Sequence, residues 1–300
     1  MAQHSLLNLI LLTLGLGLGT FIQILDTSIA NVSIPNISGD LGVSPSVGTW
    51  VITSFAISNA IVLPLTGWLS SIFGQVRLFI WSTALFSLAS FLCAVAWTFE
   101  MLVIFRIVQG AVAGCLIPLS QGLLLNNYPP EQKGLAIGFW AMIVIVAPVV
   151  GPILGGYLTD NYGWPWIFYI NVPIGIISCF LVWKTLENEK LGEQIPIDYV
   201  GLILLVIGVA FLQITLDKGQ ELDWFSSSFI QTTATLSAFG FLYFCIWNFY
   251  SKIPVVNFSF FTKRNYTISL VVCSLGFLIF FGTTVILPLW LQTWQGYTAF

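Results

Sequence analysis

The sequence predicts an all-α protein that crosses a membrane many times and contains two sets of three helices with opposite orientation. Three observations predict this fold class: the composition, the length of the apolar stretches and a repeated motif. Of the 300 residues, 57% are hydrophobic and 7% are charged, whereas soluble globular proteins carry about 25% charged residues. Such a small number of charged residues cannot cover the surface of a soluble protein. The composition therefore excludes a soluble protein.

Apolar residues gather into stretches of roughly 20 residues, the length at which an α-helix crosses a hydrocarbon layer of about 30 Å. Nine such stretches run from Leu6 to Ile34, Val47 to Ser70, Leu78 to Ala96, Phe99 to Leu125, Leu135 to Leu158, Trp166 to Thr185, Val200 to Leu216, Phe225 to Phe249 and Ile268 to Leu291. The first lacks a basic leader and a small-residue cleavage site, so we interpret it as an uncleaved membrane span.

The distribution of Lys and Arg predicts the orientation of the spans, because loops rich in these residues remain in the cytoplasm. With a cytoplasmic N-terminus, seven of the nine basic residues lie in or beside cytoplasmic loops: Arg77, Lys133, Lys184, Lys190, Lys252, Lys263 and Arg264. The exception is Lys218, in an exterior loop that also contains Glu221, and the ninth residue, Arg106, lies inside a stretch. The sequence therefore predicts a multi-pass protein with a cytoplasmic N-terminus.

A repeated motif relates the second and fifth stretches. The second ends in PLTGWLSSIFG, Pro64 to Gly74, and the fifth ends in PILGGYLTDNYG, Pro152 to Gly163, with one inserted residue. Chance accounts for part of such a match in glycine-rich membrane helices. Because an odd number of crossings separates the two stretches, the copies point in opposite directions, as in the inverted 3+3 repeats of secondary transporters. Channels and membrane enzymes show such repeats less often.

Two ionisable residues lie deep inside the first six stretches, Asp26 in the first and Arg106 in the fourth. At 1.5 Å per residue, both lie roughly 10 to 12 Å from the exterior ends of their helices, so they can pair. A charge at this depth faces the bundle interior or a wet cavity and requires a partner. The pair either joins the helices structurally or takes part in transport, since burial and a movable guanidinium have opposite effects on the protonation of a carboxyl group.

Small and polar residues predict how the spans pack. Gly110 with Gly114, and Ala147 with Gly151 and Gly155, recur at intervals of four residues, a spacing typical of close helix packing. Pro148 and Pro152 predict a bend that requires local support. We interpret the uncharged polar residues as hydrogen-bonding groups between helices rather than ligand contacts: Asn59, Gln109, Gln121 and Asn171.

The sequence also excludes several kinds of chemistry. His4, at the terminus, is the only histidine, which excludes His-based acid–base chemistry and His metal sites within the spans. A Walker-type Gly-Lys phosphate loop is also missing from the sequence. We therefore predict that the protein is not an enzyme, holds no metal or cofactor and binds no nucleic acid.

Several motifs resemble those of the fourteen-helix drug:proton antiporters of the major facilitator superfamily, and the likeness extends along all 300 residues. LDTSIANVSIP, Leu25 to Pro35, is similar to that family's first-helix motif, FRIVQG, Phe105 to Gly110, to its fourth-helix motif, and GPILGG, Gly151 to Gly156, to its antiporter motif. Three further segments also resemble the family: Asn126 to Gln132, Trp164 to Gly175 and Leu216 to Ser227.

The resemblance implies roles for individual residues. It implies that Asp26 takes part in coupling or in binding cationic drugs, and that Arg106 takes part in proton transfer. It assigns the antiporter motif to Gly151, Pro152, Gly155 and Gly156, and a loop motif to Gly67, Gly74 and Arg77. Ser71 stands where the family usually has Asp, which leaves the gating salt bridge of that Asp in doubt.

The resemblance further implies three domains: an N-terminal six-helix bundle at residues 1–190, two extra linker helices at 191–262, and the first helix of an incomplete C-terminal bundle at 263–300. The implied function is proton-coupled efflux of lipophilic or cationic drugs across the bacterial inner membrane by alternating access, driven by the proton gradient. A periplasmic adaptor and an outer-membrane channel are the implied partners, with membrane lipids around the spans. The alternatives are a major facilitator transporter for another solute and a nonfunctional fragment.

Overall fold

The protein is all-α throughout the part that the computed structural model describes, residues 6–186, 196 and 198–295. Eight segments are long and apolar enough to cross a membrane: span 1, Leu6–Asp40; span 2, Pro45–Phe73; span 3, Gln75–Ala94; span 4, Phe99–Asn127; span 5, Pro130–Tyr162; span 6, Trp166–Thr185; span 7, Tyr199–Gly219; and span 8, Ser228–Tyr250. A further helix, Arg264–Gln295, covers the ninth predicted stretch. The predicted all-α membrane fold is confirmed, while His4, Lys190 and the predicted boundary after residue 190 lie outside the described residues.

Some spans consist of more than one helix. Span 2 comprises Pro45–Gly48, Trp50–Val62, a 3₁₀ turn at Leu63–Leu65 and Thr66–Phe73; span 4 comprises Phe99–Ala113 and Leu116–Asn127; span 5 comprises Pro130–Gln132 and Lys133–Tyr162; and span 6 comprises Trp166–Tyr169 and Asn171–Thr185. The break in span 2 falls at Pro64, which has no N–H to donate to the preceding turn. A 3₁₀ turn at Trp224–Ser226 precedes span 8.

Span 1 extends beyond its predicted end at Ile34 and continues through Pro35 to Asp40. The first apolar stretch was predicted to end at Ile34, but Ile37 is fully buried in a hydrophobic cluster that includes Val51. This packing stabilises the extra helical turn in spite of the proline, because tertiary contacts override a local preference against helix.

Span 1 lies at the centre of the six-helix bundle and packs against spans 5 and 6. It runs parallel to span 5, since Gly17 faces Ile143 near the start of both helices and Ser33 bonds to Thr159 across 2.8 Å near their ends. Two hydrophobic clusters fill the bundle. Along span 1, one cluster contains Leu12, Leu16 and Ile22, and the other contains Leu25, Ile29 and Ile37. The residues between Ile22 and Leu25 therefore mark the junction of the two clusters.

Spans 7 and 8 form a hairpin that packs closely along a glycine seam. A Cβ atom on Gly240 would lie 2.6 Å from the backbone nitrogen of Gly208, so Gly240 has no room for a side chain, and one on Gly208 would lie 3.1 Å from the Phe241 ring. Ser237 donates to the Gly208 carbonyl across 2.9 Å, and Thr215 bonds to Thr233 across 2.9 Å. Small residues and hydroxyls thus hold the hairpin together, as expected in an apolar environment.

The hairpin is attached to span 2 through the buried side chain of Lys218. Its Nζ donates to the Ser46 carbonyl at 3.1 Å, to the Thr49 hydroxyl at 2.6 Å and to Glu221 at 2.9 Å. Asp217, one residue earlier, accepts a hydrogen bond from Thr53 of span 2. Spans 7 and 2 are therefore joined by polar contacts at one end of the bundle.

The chain divides into two compact units, Met1–Ile253 and Pro254–Phe300. The first contains spans 1 to 8. The second contains a 3₁₀ helix at Phe258–Thr262 and the helix Arg264–Gln295, with the rings of Phe261 and Tyr266 packed edge to face at 5.7 Å. The predicted boundary between residues 262 and 263 remains a prediction.

The repeated motif ends in the same backbone conformation in both copies. Gly74, after span 2, has φ 82° and ψ 146°, and Gly163, after span 5, has φ 91° and ψ 158°. Side chains other than glycine rarely adopt this region. In each copy the next span begins within three residues, at Gln75 and at Trp166. The two motifs therefore make equivalent tight corners.

Candidate functional site

The candidate site is a charged cluster at the junction of the two hydrophobic clusters. Asp26, on span 1, is 2% exposed, and Arg106, on span 4, is fully buried. Leu102, one turn before Arg106, belongs to one hydrophobic cluster, and Ala113, two turns after it, belongs to the other. The apolar packing on both sides keeps water from the pair and makes its internal hydrogen bonds decisive for stability.

Arg106 reaches across the bundle and contacts three neighbouring groups. Its Nη1 forms a salt bridge with Asp26 Oδ2 and donates to Gln109 Oε1 at 2.7 Å. Its Nε donates to the carbonyl of Val51 on span 2 at 2.8 Å. The guanidinium carbon also lies 4.3 Å from the centre of the Phe55 ring, within the range of a cation–π contact. These contacts fix the arginine between spans 1, 2 and 4.

The second oxygen of Asp26 accepts two more hydrogen bonds, from amide groups. Gln109 Nε2 donates to Asp26 Oδ1 at 3.1 Å, and Asn171 Nδ2, on span 6, donates to the same oxygen at 2.8 Å. Asn171 also donates to Ser90 Oγ of span 3 at 3.0 Å, and Ser90 donates to the Phe168 carbonyl. Five spans therefore meet around one carboxyl group.

Gln109 and Asn171 are two of the four uncharged polar residues that were predicted to form hydrogen bonds between helices and not to contact a ligand. Gln109 carried a usable signal, because it follows Arg106 by three residues and so shares its helix face. Asn171 carried a weaker one, its position at the start of a helix within the family-like segment Trp164 to Gly175. Its contact with Asp26 depends on the packing of span 6 against span 1, which the sequence does not specify.

The cluster contains unused polar atoms. Arg106 Nη2 and Asn171 Oδ1 are buried and make no hydrogen bond within the described residues. An unsatisfied buried polar atom costs about 1–3 kcal/mol, and in native structures such atoms often belong to functional sites. The arrangement bonds both carboxyl oxygens of Asp26, yet it retains a spare donor and a spare acceptor with which it can rearrange.

The antiporter motif lies beside the cluster, on the face of span 5 that packs against span 1. A Cβ atom on Gly151 would lie 2.6 Å from Cβ of Ser28, and one on Gly155 would lie 3.1 Å from the carbonyl oxygen of Ile29. Gly156 faces away, and a Cβ atom added to it would meet nothing within 4 Å. Two of the three motif glycines therefore allow the close approach of span 1 just after Asp26.

Pro152 of the same motif removes a helical hydrogen bond, because its nitrogen cannot donate to the carbonyl of Pro148. Span 5 nevertheless continues as one helix from Lys133 to Tyr162. Ser28 Oγ, on span 1, donates to the Pro148 carbonyl at 3.4 Å, a long bond that supplies the support the sequence analysis expected for these prolines. The first-helix motif and the antiporter motif are thus in direct contact.

The loop motif lies away from the charged cluster. The cluster contacts span 2 at Val51 and span 3 at Ser90, whereas Gly67, Gly74 and Arg77 lie at the opposite ends of these two spans. Gly74 makes the tight corner described above, and Arg77 lies in the first turn of span 3. Within the described residues, no group of three His, Cys, Asp or Glu side chains forms a metal site.

The chain is similar to known membrane transporters along nearly its whole length. The sequence pattern of the Major Facilitator Superfamily matches residues 16–300. The multidrug export protein EmrB of Haemophilus influenzae is 54% identical over 97% of this chain and 57% of that protein. EmrB of Escherichia coli K12 is 52% identical, with the same coverage. The fatty acid resistance protein FarB of Neisseria gonorrhoeae is 50% identical over 96% of this chain and 57% of that protein.

Solved structures share the fold. The POT family transporter PepTSo superposes with a TM-score of 0.57 at 13% identity, covering 79% of this chain and 53% of that structure. The proton:xylose symporter XylE superposes with a TM-score of 0.54 at 17% identity, covering 71% and 54%. The chain spans 57% of the length of its EmrB relatives. It belongs to the Major Facilitator Superfamily, a family of membrane transporters and not of enzymes.

Proposed function

We propose that this chain contributes the first half of a proton-coupled exporter that moves lipophilic or cationic drugs out of the cell by alternating access. The observation that carries the proposal is the buried carboxyl group of Asp26, which accepts hydrogen bonds from Arg106, Gln109 and Asn171 in the bundle interior. An ionisable group at this depth is costly and therefore marks a functional site by default. The similarity to EmrB supports multidrug compounds as the substrates.

The geometry supports a switch between two protonation states of Asp26. Burial favours the neutral carboxyl group, whereas the guanidinium of Arg106 favours the charged form. Arg106 has other partners in Val51 and Gln109, so its interaction with Asp26 can change without leaving the arginine unbonded. Movement of Arg106 during the transport cycle would then make Asp26 take up or release a proton.

Asp26→Asn in the complete transporter tests the proposal. The amide keeps the shape of the carboxyl group but cannot ionise, so we expect proton-driven efflux to fall to the level of cells without the transporter. Membrane insertion should persist, because a neutral Asp26 is itself a state of the proposed cycle. Drug-driven proton release and protein yield, measured in the same vesicle preparations, provide the readout.

Asn248→Ala is a matched control, because Asn248 is a buried polar residue on span 8, outside the cluster. This variant should retain coupled efflux. Normal coupled efflux by Asp26→Asn would contradict the proposal. Loss of folded protein, with normal pumping by the remainder, would instead show that the ion pair is structural.

Fatty acids are a second candidate class of substrate, favoured by the 50% identity to the fatty acid resistance protein FarB. A long-chain fatty acid is amphipathic like many drugs, but it carries a negative charge. Transport assays with a lipophilic cation and a long-chain fatty acid in the same vesicles separate the two. Preference for the anion would favour a direct interaction with Arg106 over one with Asp26.

We further propose that the protein lies in a bacterial inner membrane with its N-terminus in the cytoplasm, and that it works with a periplasmic adaptor and an outer-membrane channel. The resemblance to the antiporter family supports the partners, and the distribution of Lys and Arg supports the orientation. Single cysteines at Lys133 and Asp223, in a background without native cysteines, should react from the cytoplasm and from the periplasm, respectively. The reverse labelling pattern would contradict the orientation.

A further inference from the structure

Asp26 is the acceptor in every hydrogen bond that the structure gives it. Its three described partners, Arg106, Gln109 and Asn171, each donate an N–H to a carboxylate oxygen. An ionised carboxylate can accept all three, because it offers about four lone-pair positions and no hydrogen. In this arrangement, no partner offers an acceptor to a protonated Asp26.

A protonated Asp26 has different requirements. Its new O–H is a donor, and leaving it buried without an acceptor costs about 1–3 kcal/mol. The side chain is 2% exposed, so the surrounding residues must supply that acceptor. A site that binds and releases protons therefore needs a neighbour that can change from donor to acceptor.

The two amide neighbours differ in this respect. Gln109 Oε1 is already occupied, since it accepts from Arg106 at 2.7 Å and from the thiol of Cys93 at 3.5 Å. Asn171 Oδ1 is buried and has no hydrogen-bond partner. Asn171 is thus the neighbour with an unused acceptor, on a side chain that already touches Asp26.

A half-turn of the Asn171 carboxamide about its Cβ–Cγ bond exchanges Nδ2 and Oδ1. Oδ1 would then accept the O–H of protonated Asp26. Ser90, whose hydroxyl now accepts from Asn171 and donates to the Phe168 carbonyl, can reorient to donate to Oδ1, because a hydroxyl is both donor and acceptor. In the exchanged orientation Oδ1 therefore has two donors available to it, protonated Asp26 and Ser90.

We propose that Asn171 is a positioning residue that rotates its carboxamide when Asp26 binds a proton, and so stabilises both protonation states of the carboxyl group. The inference rests on the proposed function, in which Asp26 is the proton carrier. In this step a proton from water forms an O–H bond on Asp26 Oδ1 and neutralises its charge, and the same proton later returns to water. No other covalent bond changes.

Few other titratable groups face Asp26 from the packed elements. Arg106 is the charged neighbour from span 4, and the Cys93 thiol of span 3 joins the cluster through Gln109. Within the described residues, the charged side chains of spans 5 and 6 lie in terminal segments: Glu131, Lys133, Asp160 and Lys184. The response of Asn171 to pH can therefore be assigned to Asp26.

Infrared difference spectroscopy during a pH titration tests the inference on the complete transporter in lipid bilayers. Protonated Asp26 should give a carboxyl C=O band that is lost in Asp26→Asn. In Asn171→Leu this band should shift to higher frequency, because the O–H no longer has an acceptor. Asn248→Leu is the matched control, since Asn248 is also buried with an unpartnered Oδ1, and it should leave the band unchanged.

A second measurement avoids any dependence on the folding of Asn171→Leu. In the unmodified chain with isotopically labelled asparagine, a label-sensitive side-chain amide band should change together with the Asp26 band. An Asp26 band that neither shifts in Asn171→Leu nor accompanies an asparagine change would overturn the role of Asn171 alone. The absence of any Asp26-dependent carboxyl band across the titration would overturn the proton-carrier function and this inference together.

Discussion

Arg106 and Lys218 are both buried cations on membrane-spanning helices, but their surroundings differ. The three hydrogens of the Lys218 ammonium match three oxygen acceptors, from Ser46, Thr49 and Glu221. Its Nζ also lies 5.5 Å from the centre of the Trp50 ring. Around Arg106, one guanidinium nitrogen and one nearby amide oxygen, that of Asn171, have no partner within the described residues.

The difference indicates which charge is structural. A fully bonded cation has one favourable arrangement, and any displacement breaks a charge-assisted bond of about 1.5–3 kcal/mol. A cluster with spare atoms can exchange one set of hydrogen bonds for another at lower cost. Lys218 therefore fastens the hairpin of spans 7 and 8 to span 2, whereas the Arg106 cluster has the freedom that a transport cycle requires.

Removal of the Arg106 guanidinium should have the largest effect on stability. Arg106→Leu leaves the Asp26 anion buried with only two neutral donors, so we expect the free energy of unfolding to fall by about 3–5 kcal/mol. Asp26→Asn should cost less, about 1–3 kcal/mol, because Arg106 keeps Val51 and Gln109 as partners. Unfolding midpoints of the purified variants measure both values.

The double variant Asp26→Asn with Arg106→Leu sharpens this result. It removes both buried charges of the cluster, so it should recover most of the stability lost in Arg106→Leu while remaining inactive in proton-driven transport. Equal losses in the two single variants would instead indicate an ion pair whose partners are equally structural.

A smaller loss of stability is expected when Lys218 is replaced. Lys218→Met keeps an apolar stem near Trp50 but removes three hydrogen bonds, so it should destabilise the protein by about 2–3 kcal/mol. The infrared band of protonated Asp26 should not change. Lys252→Met, at an exposed lysine, is the matched control and should stay within about 0.5 kcal/mol of the unmodified chain. Equal stability of Lys218→Met and Lys252→Met would show that the bonds of Lys218 do not stabilise the protein, and would contradict its structural role.

The smallest effect should come from the seam beside the charged cluster. In Gly151→Ala the new methyl group meets Ser28, and overpacking of this kind costs about 1–2 kcal/mol when a small side chain can shift. Gly156→Ala enters open space and should be neutral or stabilising by up to about 1 kcal/mol, since alanine favours helix. Thermal unfolding of the pair measures the difference, and identical midpoints would show that the seam tolerates a methyl group.

Much of the fold could be predicted because long apolar runs determine membrane spans almost directly. That Asp26 and Arg106 can pair followed from residue counting along two helices, but the count for Asp26 started from Ile34, whereas the helix ends at Asp40. The end of span 1 could not be predicted, since the helix beyond Pro35 depends on the burial of Ile37. Local patterns carry no information about such tertiary support.

The hydrogen-bond partners of the buried charges were harder to predict than the charged residues themselves. Gln109 shares a helix face with Arg106, so its position was implicit in the sequence. Asn171 and Lys218 bond to residues 145 and 169 positions away, Asp26 and Thr49, through packing of spans that no local pattern specifies. Lys218 was the exception to the predicted distribution of basic residues, and its burial against span 2 explains how the chain accommodates it.

The corners at Gly74 and Gly163 have a consequence for what the chain tolerates. They share a backbone conformation that is nearly restricted to glycine, and each ends the second span of its three-helix set. A side chain at either position would strain the backbone where one span ends and the next begins. The length of each connection is therefore tied to a single residue, and a substitution there would shift the start of span 3 or span 6.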